Sequence, residues 1–350
     1  MPESATQTSP TDEAQRIGAR GNARPVLEVN NLSVQFPTRR GTLTAVDDIS
    51  FHIAEGEVLG VVGESGAGKS MTGTAVIGLL EPPGRIAGGE VLLEGRRIDN
   101  LPYEEMRKLR GEQIGMVFQD PLTSLNPLYT VGFHLTETMR THMDLSERAA
   151  RQRAIDLLAE VGIPAPKQRI DQYPHHFSGG MRQRVVLALA LCANPRLIIA
   201  DEPTTALDVS IQAQIINLFK RLCRDHGTSL MLITHDMGVI AETADRVAVM
   251  YAGRIVEVGP VREVVMNAKH PYTEGLMGSI PTIGGEHEDL VQISGTMPRL
   301  TEIPDGCAFN PRCPYVFERC RRERPHLIQV DRNHVACWLH DPAETPGGAS

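Results

Sequence analysis

The segment Gly63-Glu64-Ser65-Gly66-Ala67-Gly68-Lys69-Ser70 constrains this chain more than any other, because it fits the pattern G-x-x-x-x-G-K-[ST]. It follows the unbroken apolar run Val58 to Val62 and leads into a stretch of helical composition. An apolar run without polar alternation suits a central parallel strand that is buried on both faces. The glycines let the backbone curl until successive N–H groups point at phosphate oxygens, and the positive end of the following helix adds to the attraction. In this frame Lys69 reaches the β- and γ-phosphates and the Ser70 hydroxyl is a ligand for Mg²⁺. Gly63, Ser65, Gly66, Ala67, Gly68 and Met71 complete the nucleotide-binding stretch. A strand, a glycine loop and a helix in this order predict an α/β fold.

Downstream, the apolar stretch Leu197-Ile198-Ile199-Ala200 delivers two carboxylates, Asp201 and Glu202, where α/β sheets place their ligand sites. Asp201 suits Mg²⁺ coordination, and Glu202 is placed to polarise a water that attacks the γ-phosphate. Ser178-Gly179-Gly180 precedes the apolar run Val185 to Leu191 and reads as a glycine loop capping a helix, with Ser178 as N-cap. Alternation over Val26 to Val29 and Leu32 to Phe36 predicts a half-buried antiparallel strand pair, and Ile49 to Ile53 adds another strand. Between Gln119 and Phe177 the pattern turns helical, with Ile155, Leu158 and Val161 at helical spacing.

Composition narrows the class further. A formal net charge of -8 argues against a broad phosphate-backbone footprint, so nucleic acid is not expected as a partner. The longest apolar candidate, Val185 to Ala193, is about half of what a membrane-spanning helix needs. The first 25 residues are polar, mixed in charge and without an apolar signal region, and read as a loose tail. Six cysteines without an export signal point to a reducing compartment, where clustered thiols favour metal or cluster binding.

The phosphate loop, the Ser-Gly-Gly segment and the Asp-Glu strand occur in the order of the ABC ATPase family, which the chain resembles. The resemblance extends to Gln119 after Ile114 to Phe118 (the Q-loop), Ala206-Leu207-Asp208 (the D-loop) and His235 after Leu230 to Thr234 (the switch histidine). It implies that Glu202, His235 and Gln119 act in catalysis, that Ser70, Gln119 and Asp201 hold Mg²⁺, and that Phe36 lies under the adenine. It further implies a head-to-tail pair in which Ser178, Gly179, Gly180 and Asp208 of one subunit face the ATP bound by the other. Met181 departs from the Gln that many members carry, and the signature glycines are intact.

Several stretches are similar to the ATPase subunits of oligopeptide and dipeptide permeases: Gln119-Asp120-Pro121 through Pro127, Asp208 to Gln214, His270-Pro271-Tyr272-Thr273 and Cys307 to Pro314. This resemblance implies two membrane permease subunits, a second homologous ATPase and an external peptide-binding lipoprotein as partners, at the cytoplasmic face of the membrane. Nickel or glycoside import by the same machinery, or a soluble ABC ATPase, are its alternatives. Cys307, Cys313, Cys320 and Cys337 are separated by five, six and sixteen residues, unlike common zinc ribbons. Members of the permease group carry a [4Fe–4S] cluster at matching cysteines, and four thiolates are the ligand set for one. Spacing alone leaves zinc and plain thiols open. Cys192 and Cys223 lie in apolar helical settings and read as core residues.

The expected organisation is a tail over 1–25, an ABC nucleotide-binding domain over 26–260 and a four-cysteine C-terminal domain over 261–342, with a tail over 343–350. The nucleotide-binding domain is expected to combine a P-loop core, an antiparallel β subdomain and an inserted helical subdomain over about 120–190.

Overall fold

The computed structural model describes residues 25–39, 41–120, 124–204, 209–279 and 293–341. The chain opens with two long strands, β1 (Pro25–Thr38) and β2 (Gly41–Ala54), then β3 (Val58–Val62) and the helix α1 (Lys69–Val76). β4 (Arg85–Leu93), β5 (Arg96–Arg97), α2 (Tyr103–Glu112) and β6 (Ile114–Val117) follow. A helical stretch then comprises α3 (Val131–His142), α4 (Glu147–Glu160), the single turn α5 (Pro166–Arg169) and α6 (Gly179–Leu191). Alternation resumes with β7 (Leu197–Asp201), α7 (Val209–Asp225), β8 (Ser229–Ile233), α8 (Met237–Thr243) and β9 (Arg246–Tyr251). β10 (Arg254–Pro260), α9 (Val261–Met266), α10 (Pro271–Gly278), α11 (Glu318–Arg322), β11 (Ile328–Val330) and β12 (Asn333–Val335) close the chain.

Two sheets organise these elements. The order β2-β1-β4-β5 makes an antiparallel sheet, and β11-β12-β10-β9-β3-β8-β7-β6 makes the central one. Within the central sheet β9, β3, β8, β7 and β6 run parallel, and β10, β12 and β11 extend it antiparallel. β3, β7 and β8 are buried along their whole length, as their unbroken apolar sequences require. Their side chains alternate between two cores. Val58, Val62, Ile198, Ala200, Leu230 and Leu232 face the helical stretch, whereas Leu59, Val61, Leu197, Ile199, Met231 and Ile233 face the antiparallel sheet and α1. Each such Val, Leu, Ile or Met side chain contributes about 1.5–3 kcal/mol by leaving water.

The antiparallel strand pair expected at 26–36 is instead one strand. Both segments belong to β1 and pair with β2 on one side and β4 on the other. Asn31 adopts a left-handed φ of 51°, and the register shifts between Val29 and Leu32, so a bulge interrupts the alternation without ending the strand. Pro25, placed in the tail by sequence, is the first residue of β1, where a missing N–H is tolerated. The rest of that tail, and the one over 343–350, lie outside the described residues.

The C-terminal segment is joined to the central sheet. β12 pairs with β10 through Glu257↔Val335 and Val258↔His334, and β11 pairs with β12. Glu257 is fully buried, and its carboxylate accepts from Lys269 N, His270 N and Asn333 Nδ2 at 2.9–3.2 Å. One carboxylate thus ties a central strand to the entry of α10 and to β12. Glu257→Leu removes the acceptor these three donors share and leaves them unpaired. It is expected to cost about 3 kcal/mol or more in thermal or urea denaturation, and a variant as stable as wild type would contradict this role.

Candidate functional site

The glycine loop runs from the end of β3 to the start of α1, along the C-terminal edge of the parallel strands. Gly63 has φ 151°, and a Cβ there would stand 2.2 Å from Met250 O, so this bend admits only glycine. Gly68 caps α1 with φ 100°. Lys69 is almost fully buried, and its Nζ donates to Gly63 O at 2.7 Å and Glu64 O at 3.0 Å. Burial lowers its pKa, while Glu202, Asp201 and Glu64 pull the other way and favour the ammonium.

The tips of β6, β7 and β8 complete the centre. Ser70 Oγ donates to Asp201 Oδ1 at 3.0 Å. Burial raises the Asp201 pKa, against the Ser70 bond and Lys69, with Glu202 adding like-charge repulsion. Glu202 accepts from Gln119 Nε2 at 3.0 Å and lies 3.1 Å from His235 Nδ1. It follows β7 in a left-handed conformation, φ 45°, and its N–H donates to Ile233 O at the tip of β8. A non-glycine residue in this region costs roughly 1–3 kcal/mol, and such strain accumulates at functional sites. Asp236, next to His235, caps α8 by accepting from Gly238 N and Val239 N, which fixes the turn that carries the histidine.

Ser70 is thus bonded to Asp201, and Gln119 and His235 lie against Glu202, while Lys69 interacts electrostatically with both carboxylates. The arrangement offers a buried cation for a polyphosphate, a hydroxyl and a carboxylate paired where a divalent ion would replace their hydrogen bond, and a carboxylate held between an amide and an imidazole. Ser65, Gly66 and Ala67 lie in the same loop, and Met71 packs from α1 into the core shared with the antiparallel sheet. Phe36 is half-buried on β1 and packs against Gly84, whose Cβ would stand 2.6 Å from its ring. Ser178 caps α6 by accepting from Met181 N at 3.4 Å, as its sequence implied, and Gly179 and Gly180 form the first turn. The side-chain bond of Ser178 is local to α6. Asp208 lies outside the described residues.

Other contacts were not legible in sequence. Gln183 of α6 is buried and donates to Pro203 O, just after Glu202, linking the Ser-Gly-Gly helix to the carboxylate turn. Tyr272 Oη accepts from Glu64 N at 2.8 Å, and Arg312 forms a two-bond ion pair with the Glu64 carboxylate. No local pattern announces pairs this far apart in the chain.

Comparison with known proteins bears directly on this geometry. A family model described as ABC transporter matches residues 46–205, and one described as oligopeptide/dipeptide transporter, C-terminal region, matches residues 256–320. The oligopeptide transport ATP-binding protein OppD of Bacillus subtilis is 51% identical over 321 residues, covering 91% of this chain and 89% of that protein. The dipeptide transport ATP-binding protein DppD of Escherichia coli is 45% identical over 323 residues, covering 92% and 98%. The chain belongs to the oligopeptide/dipeptide family of ABC transporter ATP-binding subunits. Among solved structures, a dimeric post-hydrolysis ATP-binding cassette bound to ADP and Pi superposes with TM-score 0.61 at 28% identity, covering 67% of this chain and 99% of that one. CbiO1 from Clostridium perfringens, part of an ABC transporter complex, gives 0.60 at 29% identity, covering 70% and 92%. Both superpositions leave about a third of this ABC subunit uncovered.

The four cysteines lie in the C-terminal segment that begins with the second family match. Cys307 N donates to Cys320 O at 2.9 Å, and Gly306, φ 70°, would place a Cβ 2.4 Å from the same oxygen, so glycine permits the approach. Cys307, Cys313, Cys320 and Cys337 line one small cavity with His270 and Phe309. Burial, reinforced by the neighbouring sulfurs, pushes the Cys337 thiol up to about 12; burial also pushes Cys307 up to about 11 and raises Cys313. Among the described residues, no group of three or more His, Cys, Asp or Glu has the geometry to hold a metal ion. Cys192 and Cys223 are buried core residues with thiols pushed up to about 12.

Proposed function

We propose that this ABC subunit hydrolyses ATP to power import of di- and oligopeptides through a membrane permease, working peripherally at the cytoplasmic face. The single observation that carries the reading is Glu202 held between Gln119 and His235, one residue beyond the Asp201–Ser70 pair. Lys69 and the loop N–H groups bind the triphosphate, Ser70, Asp201 and Gln119 hold Mg²⁺, and Glu202 accepts a proton from the attacking water while His235 orients it. Phe36 stacks on the adenine from β1. Ser178, Gly179, Gly180 and Asp208 serve the nucleotide of a second, homologous ATPase, so two ATP molecules close the pair and hydrolysis reopens it.

The peptide-permease relatives and the C-terminal family match support the substrate class. Apolar side chains in the helical stretch support a membrane partner. Leu128, Tyr129, Phe133 and Tyr173 are exposed, the Tyr129 and Phe133 rings stack at 4.4 Å, and Val131 N donates to Gln172 O, placing these residues side by side. Phe118, also exposed, directly precedes Gln119 in the chain. An external peptide-binding lipoprotein would deliver the cargo to the permease. The organisation that follows is a nucleotide-binding domain over 26–260, with its helical subdomain at about 120–190, and a four-cysteine domain over 261–342.

Four thiols facing one cavity, of which burial makes those of Cys307, Cys313 and Cys337 costly to ionise without a counter-charge, fit a soft cationic group that takes the place of their protons. A single ion draws its sulfurs to about 2.3 Å, whereas a cubane cluster spreads its ligands over a wider shell. A [4Fe–4S] cluster held by Cys307, Cys313, Cys320 and Cys337 is the reading this supports, with a structural role away from the phosphates.

In the assembled transporter, Glu202→Gln is expected to keep MgATP binding while turnover falls at least about 100-fold, and a wild-type rate of phosphate release would remove Glu202 as the base. Full-length protein purified without oxygen is expected to carry about four irons and a broad visible absorption, both lost in Cys313→Ser. Colourless, iron-free protein would sink the cluster.

A further inference from the structure

Arg312 lies 248 positions along the chain from Glu64, in the cysteine-bearing unit, yet it reaches the phosphate loop. Its Nη1 and Nη2 donate to Glu64 Oε2 and Oε1 at 2.8 and 2.9 Å, a fork-to-fork pair. The Arg312 side chain is only 6% exposed. The remaining donors are also placed, with Nε on Ser294 O at 2.9 Å and longer bonds to Tyr251 Oη, Ile293 O and Gly295 O. The guanidinium lies 5.8 Å from the Tyr251 ring centre and 5.9 Å from that of Phe309. Such a setting holds it permanently charged, and the Glu64 bonds raise its pKa further.

Glu64 is held from two sides, because its N–H also donates to Tyr272 Oη, and Tyr272 packs against Tyr251 and Phe309. Its carbonyl accepts from Lys69 Nζ. A continuous line of contacts thus runs from Arg312, beside Cys313, through Glu64 to the lysine of the phosphate loop. Glu64 poses an electrostatic difficulty there. An unpaired carboxylate inside a loop built for a polyanion repels its own ligand, by an amount that grows as water is excluded.

We propose that Arg312 is a positioning residue for the nucleotide, which neutralises and clamps Glu64 so that the phosphate loop accepts a polyphosphate. Through it, the fold of the four-cysteine unit sets the affinity of the nucleotide site. The inference rests on residues 63–70 being the phosphate loop, as proposed above.

The test is titration calorimetry of MgATP on the full-length chain, with Arg312→Gln, Glu64→Gln and the double variant. Arg312→Gln is expected to weaken MgATP binding about tenfold by exposing the Glu64 charge, and Glu64→Gln added to it to restore binding to within about threefold. A purely structural role predicts the reverse, with each substitution weakening binding and the double variant no better than Arg312→Gln. Unchanged affinity in Arg312→Gln, or a double variant without rescue, overturns the proposal. If Arg312→Gln does not fold, Glu64→Gln alone decides: it is expected to bind MgATP at least as tightly as wild type, and a loss beyond about threefold overturns the idea. A wild-type chain that binds no MgATP, or a Lys69→Ala variant that binds it normally, would remove the phosphate-loop reading and this inference with it.

Discussion

The structure depends on one electrostatic arrangement: a nearly buried lysine at the end of a buried strand, held by carbonyl oxygens where a polyphosphate is to sit. A cation in that position is costly unless negative groups surround it, and Asp201, Glu202 and Glu64 are the groups that favour its charge. Their placement requires the parallel register of β3 with β8 and of β8 with β7, which brings these strand tips to the same edge. Helices on one face and the antiparallel sheet on the other exclude water from the sheet beneath, and this makes the charges at its edge strong. The alternating cores of β3, β7 and β8 are therefore part of the chemistry as well as of the stability.

Much of this was legible in sequence because it is written locally. The glycine loop with Lys69 and Ser70, the Ser178 cap and the Asp201-Glu202 tip each occupy a few consecutive residues whose types have one physical use. Their order along the chain then named the family. Long-range pairings carry no such signature. β12 closing on β10, Gln183 reaching Pro203 and Arg312 reaching Glu64 depend on where distant segments meet. Asn31 defeated the strand reading for a different reason, since a single left-handed residue shifted the alternation without ending the strand. His270-Pro271-Tyr272-Thr273 marked the permease subgroup without revealing its purpose. In the fold His270 caps α10, accepting from Tyr272 N, and the Tyr272 hydroxyl holds the phosphate loop.

The C-terminal unit is best understood as an extension of the ATPase sheet. Glu257, Asn333 and the strand pairs β10–β12–β11 bind it to the core, while Arg312 and Tyr272 bind it to the loop that meets the phosphates. A chain of this kind gains a second frame around its nucleotide site. The four thiols lie within that frame, and Cys313 directly follows Arg312.

ATP-driven peptide import is tested most directly by reconstituting the chain with its partner ATPase and permease in vesicles, with peptide-loaded binding protein on the outer side. Phosphate release and uptake of labelled peptide are then followed together. Hydrolysis by this subunit as the driving force predicts that loaded binding protein stimulates phosphate release and that peptide accumulates only with ATP on the side of this chain. Peptide accumulation without ATP, or hydrolysis unaffected by loaded binding protein and accompanied by no uptake, would contradict it.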